Sequence, residues 1–454
     1  MARLLAKQAR LPRWLLKAKT RGTDFTEDNL PYGVFSSLDK KDAGSTRIGV
    51  ALGDRVIDCR KLVEIHPIRG YFPDCMAEHN LDAFMGAGKE VWTEVRWKIR
   101  QLVLLEEGDS ELLEEVAHLR QSEVRMHLPC TIGDFTDFFV SAQHASRGSF
   151  ERLRPNWRHM PIAYHGRSSS VVVSPAEIRR PNGQFVDRRS LVFGPSRRLD
   201  YELEFGCLIG GPENPLGEAV KLRTASERIF GYVLLNDLSA RDIQYWEMAP
   251  LGPFLGKSFG SVISPWVVPF EALEPFRSRP KRVAAELEKA LASGEGGGEL
   301  LPHLEEHLEQ RYDYDIALSV GIRQCNDDHH YPVALSNTSA MHYSFEQLIA
   351  HHTSNGCNLR VGDLLGSGTL STVSQEPRNW GCLQESTFEG SQPLLLRAEE
   401  EPSALHASTM QRLYLEDGDE VTFTGQASTL VGEDKEVSLG FGDCSVRILP
   451  AHAV

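Results

Sequence analysis

The sequence has few of the features that mark membrane, disulfide-linked or nucleic-acid-binding proteins. Among its 454 residues, no apolar run approaches the length of a membrane span. Its eight cysteines are scattered without a C-x-x-C pair, so neither a disulfide framework nor a zinc knuckle is predicted and a reducing compartment fits. The net charge of −14 and the lack of an aromatic and basic stripe argue against nucleic-acid binding. We therefore expect a globular protein that acts on a small molecule, without a nucleic-acid or membrane partner.

Acidic residues are missing from the N terminus. The first 21 residues carry seven basic side chains and no carboxylate, with leucine and tryptophan between them. A basic amphipathic start is typical of organelle transit peptides, but this one is poor in serine. We expect residues 1–23 to be a basic extension, either disordered or targeting, and the protein to be cytoplasmic. Organelle import through residues 1–21 is the alternative.

Turn signals and helical spacing indicate a small N-terminal domain at residues 24–128. Two short apolar strands, at residues 47–52 and 55–58, flank a Gly-Asp pair, which is a two-residue hairpin signal. Apolar residues at helical spacing then predict two helices, at residues 89–107 and 110–124. This domain has no catalytic signature, so its role is expected to be structural.

Residues 129–454 have the pattern of a second, larger domain. Short apolar strands separated by glycine and proline dominate it, and alternating βαβ units are not predicted. The strands expected from this pattern are residues 170–173, 203–209, 314–320 and 421–424. A glycine-rich stretch at residues 293–298 is expected to be a flexible surface loop. The pattern therefore indicates an all-β, sandwich-like or rolled domain.

Acidic and apolar residues alternate around Glu202 and Glu204 in the run Asp-Tyr-Glu-Leu-Glu-Phe. On an extended strand, residues two apart point to the same face. Two carboxylates that close would raise each other's pKa unless a cation lay between them, and hard divalent ions prefer oxygen ligands. We therefore interpret Glu202 and Glu204 as candidate metal ligands. A half-exposed strand with a polar outer face is the alternative interpretation.

Cationic and amide side chains follow the apolar run at residues 232–235, which predicts a strand that ends at Asp237. Residues 239–242, Ser-Ala-Arg-Asp, have the pattern of a capping box that opens a short helix. Arg241 and Gln244 are three residues apart and share a face of that helix, which predicts a clamp for a developing oxyanion. Lys257 follows in a loop rich in glycine and proline, where a lone ammonium group more often faces solvent.

Several longer motifs carry a family resemblance. They are residues 29–35 (NLPYGVF), 132–138 (IGDFTDF), 164–167 (YHGR), 236–244 (NDLSARDIQ), 263–269 (ISPWVVP) and 351–360 (HHTSNGCNLR). From about residue 23 to its C terminus the chain resembles the fumarylacetoacetase family. The resemblance implies a mixed, mainly β fold, with a small N-terminal SH3-like barrel domain that includes helices. It also implies a large C-terminal β-sandwich-like roll through which two subunits pair as a homodimer.

The resemblance further implies the residues of an active site. A divalent cation, Ca²⁺ or Mg²⁺, would be held by four acids that match the family's ligands, Asp137, Glu202, Glu204 and Asp237. A second, structural cation would take oxygens from Lys257 and Ser261. His144 matches the water-activating base, and Glu385 the carboxylate that orients it. The donors to the developing negative charge match Arg241, Gln244 and Lys257. Candidate substrate contacts match Phe139, Tyr164, Gln244, Met248, Gly368 and Thr369.

Some positions depart from the family pattern. Phe139 and Met248 stand where family members often have tyrosine, and Leu238 stands where tryptophan is usual. The interval after His144 is shorter than in the family and lacks the run that carries an arginine for the substrate carboxylate. Three arginines lie nearby, but the shortening leaves the match open among Arg147, Arg152 and Arg154.

The function implied by the resemblance is hydrolysis of a carbon–carbon bond. The substrate would be the diketo acid 4-fumarylacetoacetate, cleaved to fumarate and acetoacetate in the last step of tyrosine and phenylalanine breakdown. Such chemistry needs an activated water, a polarised carbonyl and a stabilised leaving carbanion. Two alternatives stay open. One is a related acylpyruvate hydrolase or 2-oxo-acid decarboxylase of the same fold, and the other is a catalytically silent dimeric binding or scaffold protein.

Three other motifs match catalytic or metal-binding patterns but lie in unsuitable contexts. Residues 256–260 fit the G-x-S-x-G nucleophile elbow around Ser258, yet glycine and proline precede them where a strand is required. The H-x-x-E-H pattern that begins at His303 lies in a strongly acidic stretch, expected to be a solvated helix. Adjacent histidines at 329–330 and 351–352 point apart on a helix or a strand. We therefore expect none of these motifs to carry the chemistry.

Overall fold

A computed structural model defines the fold of the chain. It describes residues 11–39, 44–65, 68–104, 110–147, 153–278, 300–305, 313–325, 327, 329–372, 374, 376–398, 408–431 and 435–454. The glycine-rich loop predicted at residues 293–298 and the first ten residues of the basic extension lie outside this part. Within it, no helix combines the length and apolar character needed to cross a membrane.

Antiparallel strands and short helices form the N-terminal part of the fold. The helices are α1 (Arg13–Thr20), α2 (Cys59–Glu64), α3 (Asp82–Gly86), α4 (Lys89–Val103) and α5 (Ser110–Val116). The strands are β1 (Tyr32–Ser37), β2 (Arg47–Leu52), β3 (Arg55–Asp58), β4 (Leu119–Arg120) and β5 (Val124–His127). They form one sheet in the order β4-β3-β2-β1-β5. The predicted hairpin is confirmed, because Leu52 pairs with Arg55 and Gly53 adopts the turn's left-handed φ of 58°.

The two predicted helices are shorter than the sequence suggested. The first ends at Val103, where the Leu104 amide donates to the last turn, and residues 105–107 lie outside the described part. The second, predicted to reach residue 124, ends at Val116. Its expected continuation forms β4 and β5, whose backbones pair with β3 and β1. Pairing with distant strands therefore decides the structure of this segment, whatever its local helical spacing.

Strands dominate the C-terminal part of the fold. The strands between residues 135 and 269 are β6 (Phe135–Phe138), β7 (Ala163–Gly166), β8 (Val171–Val173), β9 (Ala176–Arg179), β10 (Asn182–Asp187), β11 (Ser190–Pro195), β12 (Leu199–Asp200), β13 (Leu203–Ile209), β14 (Ile229–Asp237), β15 (Ser239–Ala240), β16 (Ser261–Ile263) and β17 (Val268–Pro269). Then follow β18 (Arg277–Ser278), β19 (Asp313–Tyr314), β20 (Ala317–Gln324), β21 (Tyr331–Asn337), β22 (Leu364–Gly366), β23 (Leu394–Arg397), β24 (Thr409–Arg412), β25 (Asp419–Val431), β26 (Lys435–Gly440) and β27 (Cys444–Leu449).

Short helices connect these strands. The α-helices are α6 (Ala142–Arg147), α7 (Arg241–Glu247), α8 (Phe345–Thr353) and α9 (Leu383–Ser386). Segments of 3₁₀-helix in the described part of the chain are Asp74–Ala77, Gln121–Glu123, Pro155–Arg158, Ser168–Ser170, Leu222–Arg228, Phe270–Phe276, Thr338–Ala340 and Pro377–Asn379. Helices α6, α7 and α9 each begin near an end of a strand, and they carry candidate site residues.

Two larger sheets and four two-stranded ones make up the described C-terminal part. The large sheet has the order β7-β6-β22-β13-β14-β16-β8, with β17 beside β14, and the second sheet has the order β21-β20-β25-β27-β9, with β26 beside β25. Strands β10 and β11 form a separate hairpin. The pairs β6–β22, β8–β16 and β9–β27 are parallel. The mixed, mainly β fold expected from the sequence is confirmed, while the boundaries at residues 23 and 128 stay predictions.

The strands predicted from apolar runs correspond closely to observed ones. Residues 203–209 are β13, and residues 421–424 lie inside β25. The strand predicted at residues 170–173 begins one residue later, after a 3₁₀ turn. The strand predicted at residues 314–320 is interrupted, because β19 ends at Tyr314 and β20 begins at Ala317.

Alternate side chains of β14 face two different cores. Tyr232 and Leu234 are buried together with residues of the second sheet, whereas Val233 and Leu235 are buried together with the N-terminal domain. Successive side chains of a strand point to opposite faces, so the large sheet is covered on both sides. A strand buried on both faces has a continuous apolar sequence, which explains why the run before Asp237 was predicted correctly.

Candidate active site

Four carboxylates meet where neighbouring strands of the large sheet end. Asp137 lies in β6, Glu204 in β13 and Asp237 at the last position of β14, while Glu202 immediately precedes β13. In the sheet, β22 lies between β6 and β13, and β14 follows β13. One oxygen from each carboxylate lies within 4.8 Å of those of the other three. The fold therefore brings the four predicted metal ligands together.

These four residues are buried, with at most 5% of any of them exposed. Burial, and after it the neighbouring acids, raises the pKa of Asp137 and that of Glu204 well above the ordinary range. Within the described residues, Asp137 Oδ1 and Glu204 Oε1 have no hydrogen-bond partner. Such buried anionic oxygens are costly unless a cation compensates them. Because the ligand set offers only oxygen, it fits a hard divalent metal ion.

A buried ammonium group compensates part of this negative charge. Lys257 Nζ lies 2.7 Å from Asp237 Oδ2 and also contacts Glu202 Oε2. The alternative in which this lone lysine faces solvent is wrong, because its loop packs on α7 and only 6% of the residue is exposed. Burial alone would lower the pKa of Lys257, but Asp237 and Glu202 raise it above its ordinary value. The lysine is therefore a fixed positive charge at the edge of the carboxylate cluster.

Arg241 is a second buried cation. Its Nη1 donates to Glu202 Oε1 over 2.7 Å, and its Nε donates to Asp200 Oδ2 over 3.0 Å. The same Nη1 donates to Gln244 Oε1 over 3.4 Å, so the two predicted clamp residues face each other on α7. Burial would raise the pKa of Glu202, but the charges of Lys257 and Arg241 lower it below its ordinary value. These two cations therefore hold Glu202 in its ionised form.

The capping box predicted before α7 does not form. Ala240 precedes the helix, and no side chain caps it there. Ser239 Oγ donates to the carbonyl of Asp237, and the Asp242 carboxylate accepts a hydrogen bond from Ser196 Oγ. The Asp242 carboxylate therefore joins the start of this short helix to a distant segment, because it accepts from Ser196 Oγ as well as from the amide of Ile243 in the helix.

Asp200 is a site residue that the sequence interpretation did not single out. It is fully buried, and its oxygens accept hydrogen bonds from the backbone amides of Leu383 and Gln384 over 2.8 and 2.9 Å. Burial raises the pKa of Asp200, and Arg241 opposes that rise. One carboxylate thus connects α7 to α9, the helix that carries Glu385. The sequence did contain a signal for this residue, because Asp200 is the first acid of the run in which acids alternate with apolar residues up to Glu204.

His144 and Glu385 form a hydrogen-bonded pair. His144 Nδ1 lies 2.8 Å from Glu385 Oε2. Burial would raise the pKa of Glu385, but His144 and the hydrogen bonds to the carboxylate lower it below its ordinary value. Ser371 Oγ donates to the same oxygen over 2.5 Å, and Cys382 Sγ lies 3.4 Å from it. Sequence interpretation missed Ser371 and Cys382, because only the fold places them beside Glu385.

The ring of Phe139 packs against the other side of His144. The two ring centroids lie 5.2 Å apart and the ring planes meet at 78°, an edge-to-face contact. The His144 side chain keeps 12% of its surface exposed, whereas Glu385 keeps 4%. The imidazole is therefore held in a fixed orientation while part of it stays accessible to solvent.

Comparisons with known sequences identify the family. A family model described as Fumarylacetoacetate (FAA) hydrolase C-terminal matches residues 135–444, and one described as Fumarylacetoacetase N-terminal matches residues 28–129. The chain belongs to the fumarylacetoacetase family. Fumarylacetoacetases of Caenorhabditis elegans, Arabidopsis thaliana and Homo sapiens are each 40% identical to it, over 95%, 94% and 94% of this chain and 98%, 96% and 97% of theirs. The chain is accordingly an enzyme, and specifically a hydrolase.

A distant structural likeness also exists. A solved fumarylacetoacetate hydrolase from the psychrophile Exiguobacterium antarcticum aligns with 93% of this chain and 100% of its own. Its sequence identity is 16% and its TM-score is 0.49. This likeness is too remote to define the role of any residue at the site.

Two candidate substrate contacts of this fumarylacetoacetase-family chain touch the carboxylates. The Tyr164 hydroxyl donates to Asp237 Oδ2 over 2.9 Å, and the Gly368 amide donates to Glu204 Oε2 over 3.1 Å. Gly368 has a φ of 73°, and a Cβ there would lie 2.1 Å from the carbonyl oxygen of Phe138. Only glycine therefore lets this backbone approach so closely.

The other candidate substrate residues differ in their surroundings. Thr369 is buried, and within the described residues its Oγ1 has no hydrogen-bond partner. Met248 lies just after α7 with 40% of its surface exposed. Ser261, predicted to contribute to a second cation site, pairs with Asp237 in the sheet register and donates to its Oδ1 over 2.6 Å. Ser261 thus lies at the carboxylate cluster, whereas Met248 lies at the surface.

Of the three arginines after His144, one lies at the pair of candidate catalytic residues. The Arg147 guanidinium stacks on the Trp380 ring, 3.4 Å from its centroid, and its Nε lies 3.8 Å from Glu385 Oε1. Arg154 is exposed, and Arg152 lies outside the described residues.

Three motifs set aside in the sequence analysis can be described in part. Ser258 lies in a turn-rich loop between α7 and β16, so it lacks the strand-to-helix turn of a nucleophile elbow. His303 lies in a turn rather than the predicted helix, and residues 306–307 of its motif lie outside the described part. His352 Nε2 lies 3.0 Å from Thr136 Oγ1, which is a structural contact.

Proposed function

We propose that this hydrolase cleaves the carbon–carbon bond of 4-fumarylacetoacetate to give fumarate and acetoacetate, the last step of tyrosine and phenylalanine breakdown. The observation that carries the proposal is the His144–Glu385 pair together with four buried carboxylates that converge within 4.8 Å. The near-complete coverage of curated fumarylacetoacetases, with 98% of the worm enzyme's length matched, supports the same substrate.

The proposed cofactor is a divalent cation, Mg²⁺ or Ca²⁺, held by Asp137, Glu202, Glu204 and Asp237. Their buried, partly unpartnered oxygens fit it. When bound, the cation supplies Lewis-acid polarisation of the diketone oxygens. The proposed second, structural cation near Asp237 would be served by oxygens of Lys257 and Ser261. The assay described below compares Mg²⁺ with Ca²⁺.

His144 is the proposed base that takes a proton from water. Its Nδ1 faces Glu385, so its Nε2 is the nitrogen that remains to accept the proton. Glu385 holds the ring and stabilises the imidazolium that forms, since a carboxylate with a lowered pKa stays ionised beside it. A positioned base of this kind typically contributes roughly 10²- to 10⁴-fold to the rate.

Arg241, Gln244 and Lys257 are the proposed donors to the developing oxyanion. Arg241 and Lys257 are fixed by ion pairs with Glu202, which keeps their positive charges in place before substrate binds. Gln244 turns its carbonyl oxygen toward Arg241, so its amide group is free to point elsewhere. Donors that are already oriented stabilise charge without a cost of reorganisation, and each is typically worth roughly 10²- to 10³-fold.

The proposed substrate pocket is lined by Tyr164, Thr369, Gly368 and, farther out, Phe139 and Met248. Among the described residues the Thr369 hydroxyl has no hydrogen-bond partner, which supports a polar contact with substrate there. Phe139 replaces a hydroxyl-bearing tyrosine of the family, and Arg147 is the proposed cation for a substrate carboxylate, since it lies near the base. The shortened segment after His144 favours the acylpyruvate or 2-oxo-acid alternative as the second candidate.

One assay tests these proposals together. Purified protein is given fumarylacetoacetate, and loss of the diketone absorbance is followed with a chelator and then with Mg²⁺ or Ca²⁺ restored. We expect turnover that stops on chelation and recovers with the cation. Turnover of short acylpyruvates or oxaloacetate alone would establish the acylpyruvate hydrolase or 2-oxo-acid decarboxylase alternative. A turnover rate that the chelator leaves unchanged would contradict the role of the four carboxylates as cation ligands.

A homodimer is the proposed assembly, and the cytoplasm the proposed location. The β10–β11 hairpin and the loop after α7 expose large apolar side chains, at Val186, Leu191, Phe193, Leu251 and Phe254. The hairpin packs directly on α7 at Gly183, so these side chains lie on neighbouring elements beside the site. Exposed apolar surface of this kind is typical of an interface.

Light scattering on the eluting protein measures this assembly. We expect the mass of a dimer for the natural chain and a shift to monomer for Phe193→Asp. Leu216→Asp is the matched control, because Leu216 is exposed but lies outside the hairpin. A monomeric natural chain would contradict the proposal.

A further inference from the structure

The candidate base and two neighbouring side chains together offer three different ligand atoms. His144 offers a ring nitrogen, Cys382 a sulfur and Glu385 a carboxylate oxygen, and one such atom of each lies within 4.8 Å of the other two. This set is separate from the four carboxylates, which offer only oxygen. Nothing in the hydrolytic chemistry requires a thiol at this position.

The spacing of the three atoms is close to that of a metal-bound set. His144 Nδ1 and Glu385 Oε2 are 2.8 Å apart, and Cys382 Sγ and Glu385 Oε2 are 3.4 Å apart. In a tetrahedral zinc site, with bonds of about 2.0–2.3 Å, neighbouring ligand atoms are about 3.3–3.7 Å apart. The His144 and Cys382 ligand atoms lie within 4.8 Å of each other, so adjustments of about 1 Å would admit the ion.

The charges also balance. A zinc ion carries two positive charges, which one thiolate and one carboxylate neutralise while the imidazole stays neutral. On binding, the thiol proton of Cys382 and the proton on His144 Nδ1 must leave those atoms, the former to solvent and the latter by a shift to Nε2. Burial, and after it Glu385, raises the pKa of the Cys382 thiol, so a free ion must displace this proton as it binds.

The two clusters differ in the softness of their ligand atoms, and therefore in the metal ions that they prefer. Thiolate and imidazole select Zn²⁺ and its heavier congener Cd²⁺, whereas carboxylates alone suit Mg²⁺ and Ca²⁺. Cys382 is fully buried, but His144 keeps 12% of its side chain exposed, so an ion can reach the set from the imidazole side. Glu385 Oε1 is buried without a hydrogen-bond partner in the described residues, and it can accept from Ser371 when Oε2 binds the ion.

We propose that His144, Cys382 and Glu385 form an inhibitory site for thiophilic divalent ions, Zn²⁺ or Cd²⁺, distinct from the carboxylate cluster. The ion takes His144 Nδ1 and leaves Nε2 protonated, so the imidazole cannot accept a proton from water. The inhibitory part rests on the proposed role of His144 as base. The binding part does not, because it depends only on the three ligand atoms.

Cobalt spectroscopy tests the binding part without measuring activity. The reduced protein is first saturated with Mg²⁺, and Co²⁺ is then added as the probe, since a cobalt–thiolate bond gives a near-ultraviolet charge-transfer band that oxygen ligands do not give. We expect one such bond per chain in the natural protein. The band should disappear in Cys382→Ser and persist in the matched control Cys325→Ser, whose cysteine is exposed. No band in the natural protein, or an equal band in Cys382→Ser, would overturn the site.

Zinc titration of the hydrolase activity tests the inhibitory part. Each variant is assayed with Mg²⁺ in excess, and its rate is normalised to its own rate without zinc. We expect the zinc concentration for half inhibition to rise at least tenfold in Cys382→Ser and to stay unchanged in Cys325→Ser. Equal sensitivity of Cys382→Ser and the natural protein would overturn the inhibitory role. Absence of fumarylacetoacetate turnover without zinc would instead contradict the proposed function, and the cobalt spectrum would still decide the site.

Discussion

His144 Nδ1 lies 2.8 Å from Glu385 Oε2, although 241 positions separate the two residues in the chain. The first lies on α6, just after the strand that carries Asp137, and the second lies on α9. Asp200 anchors α9 through two backbone amides, and Arg241 holds Asp200 in turn. The base and the carboxylate cluster are thus connected through the backbone of α9, Asp200 and Arg241.

Removal of the base should lower the catalytic rate, whereas removal of a metal ligand should lower the affinity for the cation. His144→Ala should lower kcat by about 10²- to 10⁴-fold while leaving cation affinity nearly unchanged. Glu202→Ala should weaken cation binding itself, because it removes one of the four converging oxygens. Steady-state kinetics and calorimetric titration with Mg²⁺ or Ca²⁺ measure the two effects. Equal loss of rate and affinity in both variants would contradict the assigned roles.

Asp200→Ala should destabilise the fold strongly. The change leaves the buried Arg241 with one carboxylate fewer and removes the acceptor of two α9 amides. Breaking a buried ion pair typically costs about 3–5 kcal/mol in the free energy of unfolding. Asp187→Ala is the control, since its pair with the largely exposed Arg197 should cost less than about 1 kcal/mol. Urea unfolding compares the two, and similar losses would argue against a structural role for Asp200.

Divalent cations should stabilise the protein against heat. Mg²⁺ or Ca²⁺ bound only by the folded chain adds about 2.7 kcal/mol at a concentration one hundred times Kd. The gain should fall in Glu204→Gln, which keeps the shape of the side chain but removes its charge. In Asp134→Asn, where the acid is 69% exposed and outside the cluster, the gain should persist. Differential scanning calorimetry with and without chelator measures it, and an unchanged Tm in the natural chain would count against the metal site.

Acid should remove a stabilising contribution from Glu420. This residue lies on β25 opposite Arg323 of β20 and Arg447 of β27. Burial would raise the pKa of Glu420, but hydrogen bonds from Arg447 and Arg323 lower it below 4.5. A carboxyl with a lowered folded pKa contributes stability above its unfolded pKa and loses it as the pH falls through the folded value.

The natural chain should therefore be more stable than Glu420→Gln near neutral pH. The difference should shrink as the pH falls below 4.5 and vanish in stronger acid. Urea unfolding midpoints across this range measure it. A difference that stays constant at every pH would show that the charge of Glu420 plays no part.

The sequence predicted those features that depend on local pattern. The β2–β3 hairpin follows from a Gly-Asp pair between apolar strands, and β13 and β14 follow from continuous apolar runs that suit strands buried on both faces. Predictions failed where distant segments decide the outcome. The chain after Val116 becomes strands because β1 and β3 supply hydrogen-bond partners. The predicted capping box fails because the Asp242 carboxylate accepts from the distant Ser196 hydroxyl and from the Ile243 amide, while Ser239 donates to the Asp237 carbonyl.

For the site, the sequence by itself determined which ligand atoms are available and which family the motifs resemble. Carboxylate, imidazole and guanidinium chemistry is fixed by residue type. Only the tertiary structure decided that Lys257 turns inward, that Asp200 joins α7 to α9, and that Cys382 lies beside the candidate base. The physical reason is that these contacts join residues far apart in the chain. Their energies depend on packing and shared burial, which no local stretch of sequence contains.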